Sequence, residues 1–209
     1  VQARDTSGQI ANASVLLLVL APRPPGPRPT RRTTLATADV PAGRRVWVVN
    51  PDAHSVAVLD AATGAKLAEH PTGENSSPRS IARDALGRYW VALHGSDALR
   101  VLHPDGTTAH HLPLPYGSAP FGVAPSPDGQ HLYVTLHGSA RLHRYSAAAP
   151  AAAPLTQTTF PTPRALAVSA DGARVLVTRF LSPDLEGQVG EFHGATLASV
   201  RTFRLASAN

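Results

Sequence analysis

Residues 120–135 read PFGVAPSPDGQHLYVT, and the same phrase returns without a gap at residues 163–178 as PRALAVSADGARVLVT. A third copy at residues 78–92, PRSIARDALGRYWVA, is one residue shorter after its glycine, and residues 43–50 keep only the second half. The turn glycines are separated by 44, 42 and 43 residues: Gly43, Gly87, Gly129 and Gly172. This period is typical of one four-stranded propeller blade per repeat.

Each copy has the composition of paired β-strands. Apolar residues alternate or form short β-branched and aromatic runs bounded by Pro, Gly, Asp and Ser. Asp128-Gly129 and Asp171-Gly172 join two such runs, and this dipeptide supplies the positive φ of a tight hairpin. We therefore predict an all-β fold in which residues 35–205 form four sequential four-stranded antiparallel blades with hairpins at these two pairs.

The strand after each turn resembles the repeat of the YVTN-type bacterial propellers, a family named for its Tyr-Val-Thr-Asn signature. Tyr133-Val134-Thr135 carries three of the four letters, residues 47–50 carry Val and Asn, and residues 176–179 carry Val and Thr. The resemblance implies a seven-bladed ring, so the chain is expected to be a fragment of a larger propeller whose end blades leave open faces. It implies a fold and not a function, because propellers host binding, scaffolding and catalysis alike.

The first 34 residues differ from the repeats. Residues 1–15 read as strand, Asp-x-x-Gly turn and strand, which resembles the closing hairpin of bacterial Ig-like surface domains. Two alternatives stay open: a remnant of a secretion signal around the apolar run 15–20, or an extra propeller strand. Residues 21–34 are rich in Pro and Arg and predict an extended linker. The expected organisation is an Ig-like end or unassigned strand pair at 1–20, the linker at 21–34 and propeller repeats at 35–209.

Composition narrows the classes of function. The chain has no Cys, which excludes disulfides, thiolate metal sites and covalent haem attachment within these residues. Its net charge of +5 is spread over the repeats without a cationic stripe, so nucleic-acid binding is not expected. The longest apolar run is too short to span a bilayer as a helix. No metal site and no cofactor are expected, and the lack of Met even at position 1 suggests a piece of a longer polypeptide.

Cationic and imidazole side chains recur at equivalent positions of the repeats. Equivalent positions lie at equal radius in a propeller, so recurring charges become a rim around the central axis. The innermost strands begin with Arg79, Phe121 and Arg164, and the neighbouring loops contribute His54, His94 and His137. We predict that one rim binds a protein or a small anionic ligand. Its predicted residues are Arg79, Arg164, Arg179, His94 and His137.

Structural explanations compete with this site. His94 and His137 occupy the same loop in adjacent repeats, so duplication alone accounts for both. Arg79 and Arg164 are of a type that commonly pairs with a nearby carboxylate. Glu186 and Glu191 flank a long loop, and we interpret them as a salt-bridged surface loop rather than a catalytic pair of carboxylates.

No local catalytic motif is present. The repeats lack a nucleophile elbow, a phosphate-binding glycine loop and a zinc-type His-Glu spacing. We therefore expect a non-enzymatic binding or scaffolding module of an exported bacterial protein, located outside the cell, on its surface or in the periplasm, and partnered by missing blades or further domains of the same polypeptide. Residues 163–183 also resemble propellers that accompany a dihaem cytochrome c peroxidase-like domain. The alternative is thus a periplasmic oxidoreductase whose catalytic domain lies outside these residues, and enzyme activity within them stays an open question.

Overall fold

The computed structural model describes residues 2–4, 10–12, 35–181 and 186–205. In this part of the chain every regular element is a β-strand. The strands are β1 Gln2–Arg4, β2 Ile10–Asn12, β3 Leu35–Val40, β4 Gly43–Asn50, β5 Ser55–Asp60, β6 Lys66–Pro71, β7 Pro78–Arg83, β8 Tyr89–Leu93, β9 Ala98–Leu102, β10 Thr108–Pro113, β11 Pro120–Pro125, β12 His131–Leu136, β13 Arg141–Ser146, β14 Leu155–Thr158, β15 Pro163–Val168, β16 Arg174–Arg179, β17 Gly187–His193 and β18 Ser199–Leu205.

Strands β3 to β18 form four antiparallel sheets in chain order. We name them blade 1 (β3–β6), blade 2 (β7–β10), blade 3 (β11–β14) and blade 4 (β15–β18). The first strands of successive blades contact one another, β3 with β7, β7 with β11 and β11 with β15, and are therefore innermost. The prediction of four four-stranded antiparallel blades is confirmed, whereas the prediction that they belong to a larger ring stays a prediction.

The two Asp-Gly pairs lie at hairpin turns, as predicted. Gly129 and Gly172 have φ values of 67° and 73°, a region that favours glycine. Ser126 closes the first turn, because its carbonyl accepts from the Gly129 amide at 2.8 Å and its hydroxyl oxygen from the His131 amide at 3.0 Å. Ser169 makes the same pair of contacts in blade 4, at 2.9 Å each. The side chain two residues before the Asp thus fixes each hairpin.

Aromatic side chains fill the spaces between the blades. Trp47 of blade 1 stacks on Tyr89 of blade 2 with 4.0 Å between ring centroids. Trp90 of blade 2 lies 5.7 Å from Tyr145 of blade 3. Tyr133 of blade 3 packs toward blade 4, where its hydroxyl donates to the Gly194 carbonyl at 2.9 Å. Each blade is therefore held by burial of aromatic area against the next one.

A β-bulge follows the first residue of the innermost strand in blades 2, 3 and 4. The pairing register shifts after Pro78, after Pro120 and after Pro163. Proline has no amide hydrogen and is tolerated at the first position of a strand. The bulge places the next residue outside the regular ladder, so the side chains of Arg79, Phe121 and Arg164 do not follow the alternation of the strand.

Thr135 explains the Val-Thr part of the repeat signature. Its hydroxyl oxygen accepts from the Gly122 amide at 2.8 Å, an amide that the bulge removes from the ladder. The same hydroxyl donates to the Arg164 carbonyl of blade 4 at 2.6 Å. A Cβ on Gly122 would lie only 2.6 Å from that carbonyl oxygen, so a side chain there would push the two inner strands apart.

The N-terminal strands β1 and β2 pair with each other in an antiparallel sheet, with Gln2 opposite Asn12. This agrees with the strand pair expected there, while its Ig-like identity stays a prediction. The apolar run 15–20 and the linker 21–34 lie outside the described residues. Among the described residues, no helix has the length and hydropathy needed to cross a membrane.

A buried ion pair joins blades 2 and 3. The Asp84 side chain is fully buried and accepts from the Arg88 guanidinium at 2.8 Å and from the Trp90 indole at 3.0 Å. Arg88 also donates to the Ala147 carbonyl in blade 3. Asp84 takes the place that Ser126 and Ser169 hold in the later repeats, and its partner Arg88 adds the inter-blade link.

Removing the Asp84 carboxylate should destabilise the propeller strongly. In Asp84→Ala the Arg88 charge and the Trp90 N–H lose their buried acceptor, and we expect a loss of about 3–5 kcal/mol in the free energy of unfolding. Lys66→Ala is the matched control, because it removes an ion pair to Glu69 that lies at the surface, and it should change stability little. Urea unfolding measures both variants, and equal midpoints would contradict the assignment.

A second buried polar pair lies on β13. His143 and Tyr145 face the same side of the strand, with 3.2 Å between the imidazole Nδ1 and the hydroxyl. Burial, and then the charge of Arg141, lowers the pKa of His143 to about 4. Burial raises the pKa of Tyr145 to about 12. The folded state therefore requires His143 to be neutral.

This burial predicts acid sensitivity. Above the unfolded-state pKa of about 6.5 both states are neutral, and below it only the unfolded state takes up the proton until about pH 4. Stability should therefore fall between these two pH values, by an amount on the order of 3 kcal/mol. His143→Gln removes the titrating group and should flatten the profile measured by thermal unfolding. Superimposable profiles for the two proteins would show that His143 is not the group responsible.

Candidate functional site

Two positions of each repeat meet at one edge of the blades. The first is the bulge residue after the opening proline: Arg79, Phe121 or Arg164. The second is the residue directly after the second strand, which is His94 in blade 2, His137 in blade 3 and Phe180 in blade 4. The bulge and the strand end are hydrogen-bonded neighbours, so the two positions are held side by side.

Backbone hydrogen bonds fix this neighbourhood in the same way in blades 2, 3 and 4. The amides of His94, His137 and Phe180 donate to the carbonyl of the residue before the opening proline, at 3.3, 3.0 and 2.9 Å. The three accepting residues all have a positive φ although none is glycine: Ser77 (41°), Ala119 (46°) and Thr162 (55°). Strained backbone of this kind recurs only where the surrounding structure holds it.

Five side chains from blades 2, 3 and 4 form what we call the rim cluster: His94, Phe121, His137, Arg164 and Phe180. The two histidine rings have centroids 6.0 Å apart, and Phe121 lies 5.8 Å from His94 and 6.1 Å from His137. Phe180 lies 5.9 Å from His137. The guanidinium carbon of Arg164 lies 4.4 Å from the Phe121 centroid and 3.8 Å from the Phe180 centroid.

The arginines of the site form no ion pair with an acidic side chain in the described part of the chain. Among the described residues, no carboxylate lies within 4.0 Å of the guanidinium groups of Arg79, Arg164 and Arg179. In contrast, Arg45 and Arg174 each make an ion pair at 2.6 or 2.7 Å. The structural explanation that Arg79 and Arg164 pair with a nearby carboxylate therefore does not hold within the described part of the chain.

Both histidines of the rim cluster are shifted toward the neutral form. Burial, and then the charge of Arg79, lowers the pKa of His94, with the carbonyls of Pro120 and Ala119 and the Asp97 carboxylate opposing this. Burial is also the main cause that lowers the pKa of His137. The Pro163 carbonyl opposes that shift, whereas His94 and Arg164 add to it. Each ring also keeps a buried Nδ1 that has no hydrogen-bond partner among the described residues.

His54 does not belong with the other two histidines. Its φ of 50° matches those of Asp97 (49°) and Ala140 (54°). These two residues occupy the turn position three residues after His94 and His137, respectively. His54 Nδ1 accepts from the Ser77 amide at 3.3 Å, as Asp97 Oδ1 accepts from the Ala119 amide at 2.6 Å. We therefore correct its expected place on the rim: His54 caps a turn.

Arg179 does not occupy the position predicted for it, which in the structure belongs to the next residue of the chain. It is the last residue of β16 and pairs with Pro163, so Phe180 and not Arg179 is equivalent to the histidines. Its Nη1 donates to Gln188 Oε1 at 2.9 Å, and its Nε is buried without a hydrogen-bond partner among the described residues. Phe180 was missed as a site residue, although its place directly after Thr178-Arg179 is the signal that identifies it.

The two glutamates that flank the long loop are salt-bridged. Buried Glu191 pairs with Arg174 and Arg201, each at 2.7 Å. Glu186 pairs with Arg204 at 3.6 Å. These contacts agree with a structural role, although the partners are not Arg179. Within the described residues, no group of three or more His, Asp or Glu side chains is placed to hold a metal ion.

Solved structures of other proteins share this fold. Hydrazine synthase from Kuenenia stuttgartiensis gives a TM-score of 0.71 at 19% identity over 91% of this chain and 53% of that chain. The periplasmic gluconolactonase of Pseudomonas aeruginosa gives 0.67 at 22% identity over 82% of this chain and 54% of that one. A catalytically inactive histidine-to-alanine variant of virginiamycin B lyase from Staphylococcus aureus, with quinupristin, gives 0.56 at 13% identity over 85% and 72% of the two chains.

At these identities the likeness establishes the β-propeller fold and does not establish shared chemistry. The chain spans about half the length of the hydrazine synthase and gluconolactonase chains. No protein-family model matches the chain, and no curated protein sequence matches it. Membership of the YVTN-type family therefore stays a prediction.

The predicted non-enzymatic role is corrected by these neighbours. A gluconolactonase and a lyase are among them, and both are enzymes, so the expectation of a non-enzymatic binding or scaffolding module is wrong. That expectation relied on the lack of a local catalytic motif. A rim site draws single residues from separate blades, and such a site leaves no contiguous motif in the sequence.

The charge of Arg79 should be visible in the titration of His94. In Arg79→Gln the positive field on His94 is removed, so the pKa of His94 should rise. His137 is the internal control, since Arg79 is not among the groups that shift it. Titration of the imidazole protons by NMR measures both. An unchanged His94 curve would place Arg79 too far away to act on it.

Proposed function

We propose that the rim cluster, together with Arg79, is the active site of an enzyme that opens the ester bond of a small anionic lactone. Its reaction is hydrolysis in which a neutral histidine accepts a proton from water. One neighbour, a gluconolactonase, supports this reaction class by name, and a second neighbour is a lyase. The second has an inactive form that lacks one histidine, which is consistent with histidine chemistry on a propeller.

One observation carries the proposal. Six buried side-chain nitrogen or oxygen atoms of the described residues have no hydrogen-bond partner, and three of them belong to the proposed site: Arg79 Nε, His94 Nδ1 and His137 Nδ1. Buried polar groups in folded proteins are nearly always satisfied, so a concentration of exceptions needs an explanation. A polar ligand that supplies the missing partners provides one.

The electrostatics fit an acid–base reaction. Guanidinium groups that pair with no carboxylate among the described residues attract an anion, and lowered pKa values keep the histidines neutral and able to accept a proton. A water molecule deprotonated by His94 attacks the lactone carbonyl, and Arg79 beside it stabilises the negative charge that develops on the carbonyl oxygen. The ring C–O bond then breaks, and the proton passes from the imidazolium to the leaving alkoxide. The product is a hydroxy acid.

We also propose that the protein is exported. The resemblance of the repeats to bacterial surface and periplasmic propellers supports this location, and one neighbour of known structure is described as periplasmic. Fractionation of the source cells, with antibodies against the full-length protein, tests it. Recovery in the cytoplasmic fraction would contradict it.

Replacing either histidine by an isosteric neutral residue should remove the activity. The full chain is assayed on a panel of aldonolactones, with and without a phosphate group, by the acid released at constant pH. His94→Gln and His137→Gln should each lower kcat by roughly 10²–10⁴-fold. His111→Gln is the matched control, because His111 is exposed on the outer strand β10 of blade 2. Activity of the parent chain should persist below the ordinary pKa of histidine, since the pKa of His94 is lowered.

The product distinguishes two reactions at the same site. Hydrolysis in H₂¹⁸O places the label in the new carboxylate, whereas elimination gives an unsaturated product without label. Labelled product supports the lactonase assignment. Unsaturated product would assign a lyase reaction instead, and a panel without turnover, or full activity in both glutamine variants, would overturn the proposal.

A further inference from the structure

The guanidinium of Arg164 is clamped between two phenyl rings. Its central carbon lies 4.4 Å from the Phe121 centroid and 3.8 Å from the Phe180 centroid. Rings on both faces of a planar guanidinium leave only its edge, which carries the N–H donors, for other partners. The clamp therefore orients the donors of Arg164 in one plane.

The backbone of Arg164 is held as firmly as its side chain. Thr135 donates to the Arg164 carbonyl at 2.6 Å, and the absence of a side chain at Gly122 allows this carbonyl its close approach. Because both ends of the residue are fixed on folding, little ordering is left for ligand binding, and preorganised donors bind more tightly than mobile ones.

The donor edge of Arg164 meets no acidic partner among the described residues. Arg45, Arg88 and Arg201 each meet a carboxylate at 2.6 to 2.8 Å, whereas within the described residues no carboxylate lies within 4.0 Å of the Arg164 guanidinium. Phe180 is also 52% exposed, a high value for a phenyl ring that packs on a neighbouring side chain. A clamped cation that meets no carboxylate in the described part of the chain, next to an exposed ring, is suited to an external anion.

We infer that Arg164 binds, through this edge, the anionic group of the substrate that does not react, a phosphate or a carboxylate. Phe121 and Phe180 are positioning residues that hold the guanidinium in place. The inference rests on the proposed function for the identity of the substrate and divides the site into two ends. The Arg164 end binds the anion that does not react. The end formed by His94 and Arg79 is where charge develops during the reaction.

Anion binding tests this inference without any turnover. Inorganic phosphate and acetate are titrated into the full chain by calorimetry, with folding of each variant checked by circular dichroism. Arg164→Gln should abolish the binding, and Phe180→Leu and Phe121→Leu should each weaken it about tenfold, which corresponds to the loss of one stacked ring. Leu181→Ala, next to Phe180 and 63% exposed, is the control and should bind as the parent does.

Two comparisons sharpen the result. Arg164→Lys should not restore binding, because an ammonium group has neither the planar edge nor the stacking faces of a guanidinium. Tighter binding of phosphate than of acetate identifies a phosphate ester as the anchor, and the reverse order identifies a carboxylate. With a lactone that is turned over, Arg164→Gln and Phe180→Leu should raise KM with little change in kcat, while Arg79→Gln should lower kcat.

The failures of the two proposals are distinguishable. If phosphate and acetate bind as expected but no lactone is opened, the proposed reaction fails and the anion site stands. If Arg164→Gln removes anion binding while both leucine variants bind as tightly as the parent, the positioning role of the rings is wrong. If Arg164→Gln itself binds both anions unchanged, Arg164 is not the anchor.

Discussion

Packing of each sheet against the next is the constraint on which the rest of the molecule depends. Strand β8 is buried along its whole length, so both faces of blade 2 require an apolar neighbour. An isolated sheet of this composition would expose apolar area on both sides. Because the blades stack through their first strands, equivalent positions of successive repeats converge toward the inner edge. The rim cluster is thus a consequence of how the blades bury their surfaces.

The same contacts that join two blades also position the site. Thr135 satisfies the Gly122 amide freed by the bulge and bonds to the Arg164 carbonyl across the blade boundary. A change that loosens this bond moves both inner strands and with them the residues of the bulge. Structural and functional roles of the repeat signature are therefore difficult to separate by substitution of Thr135, whereas the exposed tips of the side chains can be altered without disturbing the strands.

The fold could be predicted because its signals are local and repeated. The Asp-Gly turns require positive φ, the strands between them are buried, and a period of 42 to 44 residues indicates one blade. The site is harder to predict from the sequence. Repeat position predicts a common rim for Arg79, His94, His137 and Arg164. For blade 4 it selects Arg179 where the structure has Phe180, an error of one residue. The error matters because adjacent residues of a strand face opposite sides. Stacking of Phe121 on Arg164 depends on blades 3 and 4 meeting, which no local pattern encodes.

If an anion binds at Arg164 as we infer, the charges of the site couple its binding to proton uptake. Arg164 is one of the groups that lower the pKa of His137, and Arg79 acts in the same direction on His94. An anion bound at Arg164 offsets part of this positive field, so the pKa of His137 rises when the ligand is bound. By linkage, protonation of His137 must strengthen anion binding by the same factor. A lactone seated by its anionic group would therefore meet a His137 that is a stronger base than in the free protein, beside the His94 that accepts the proton from water.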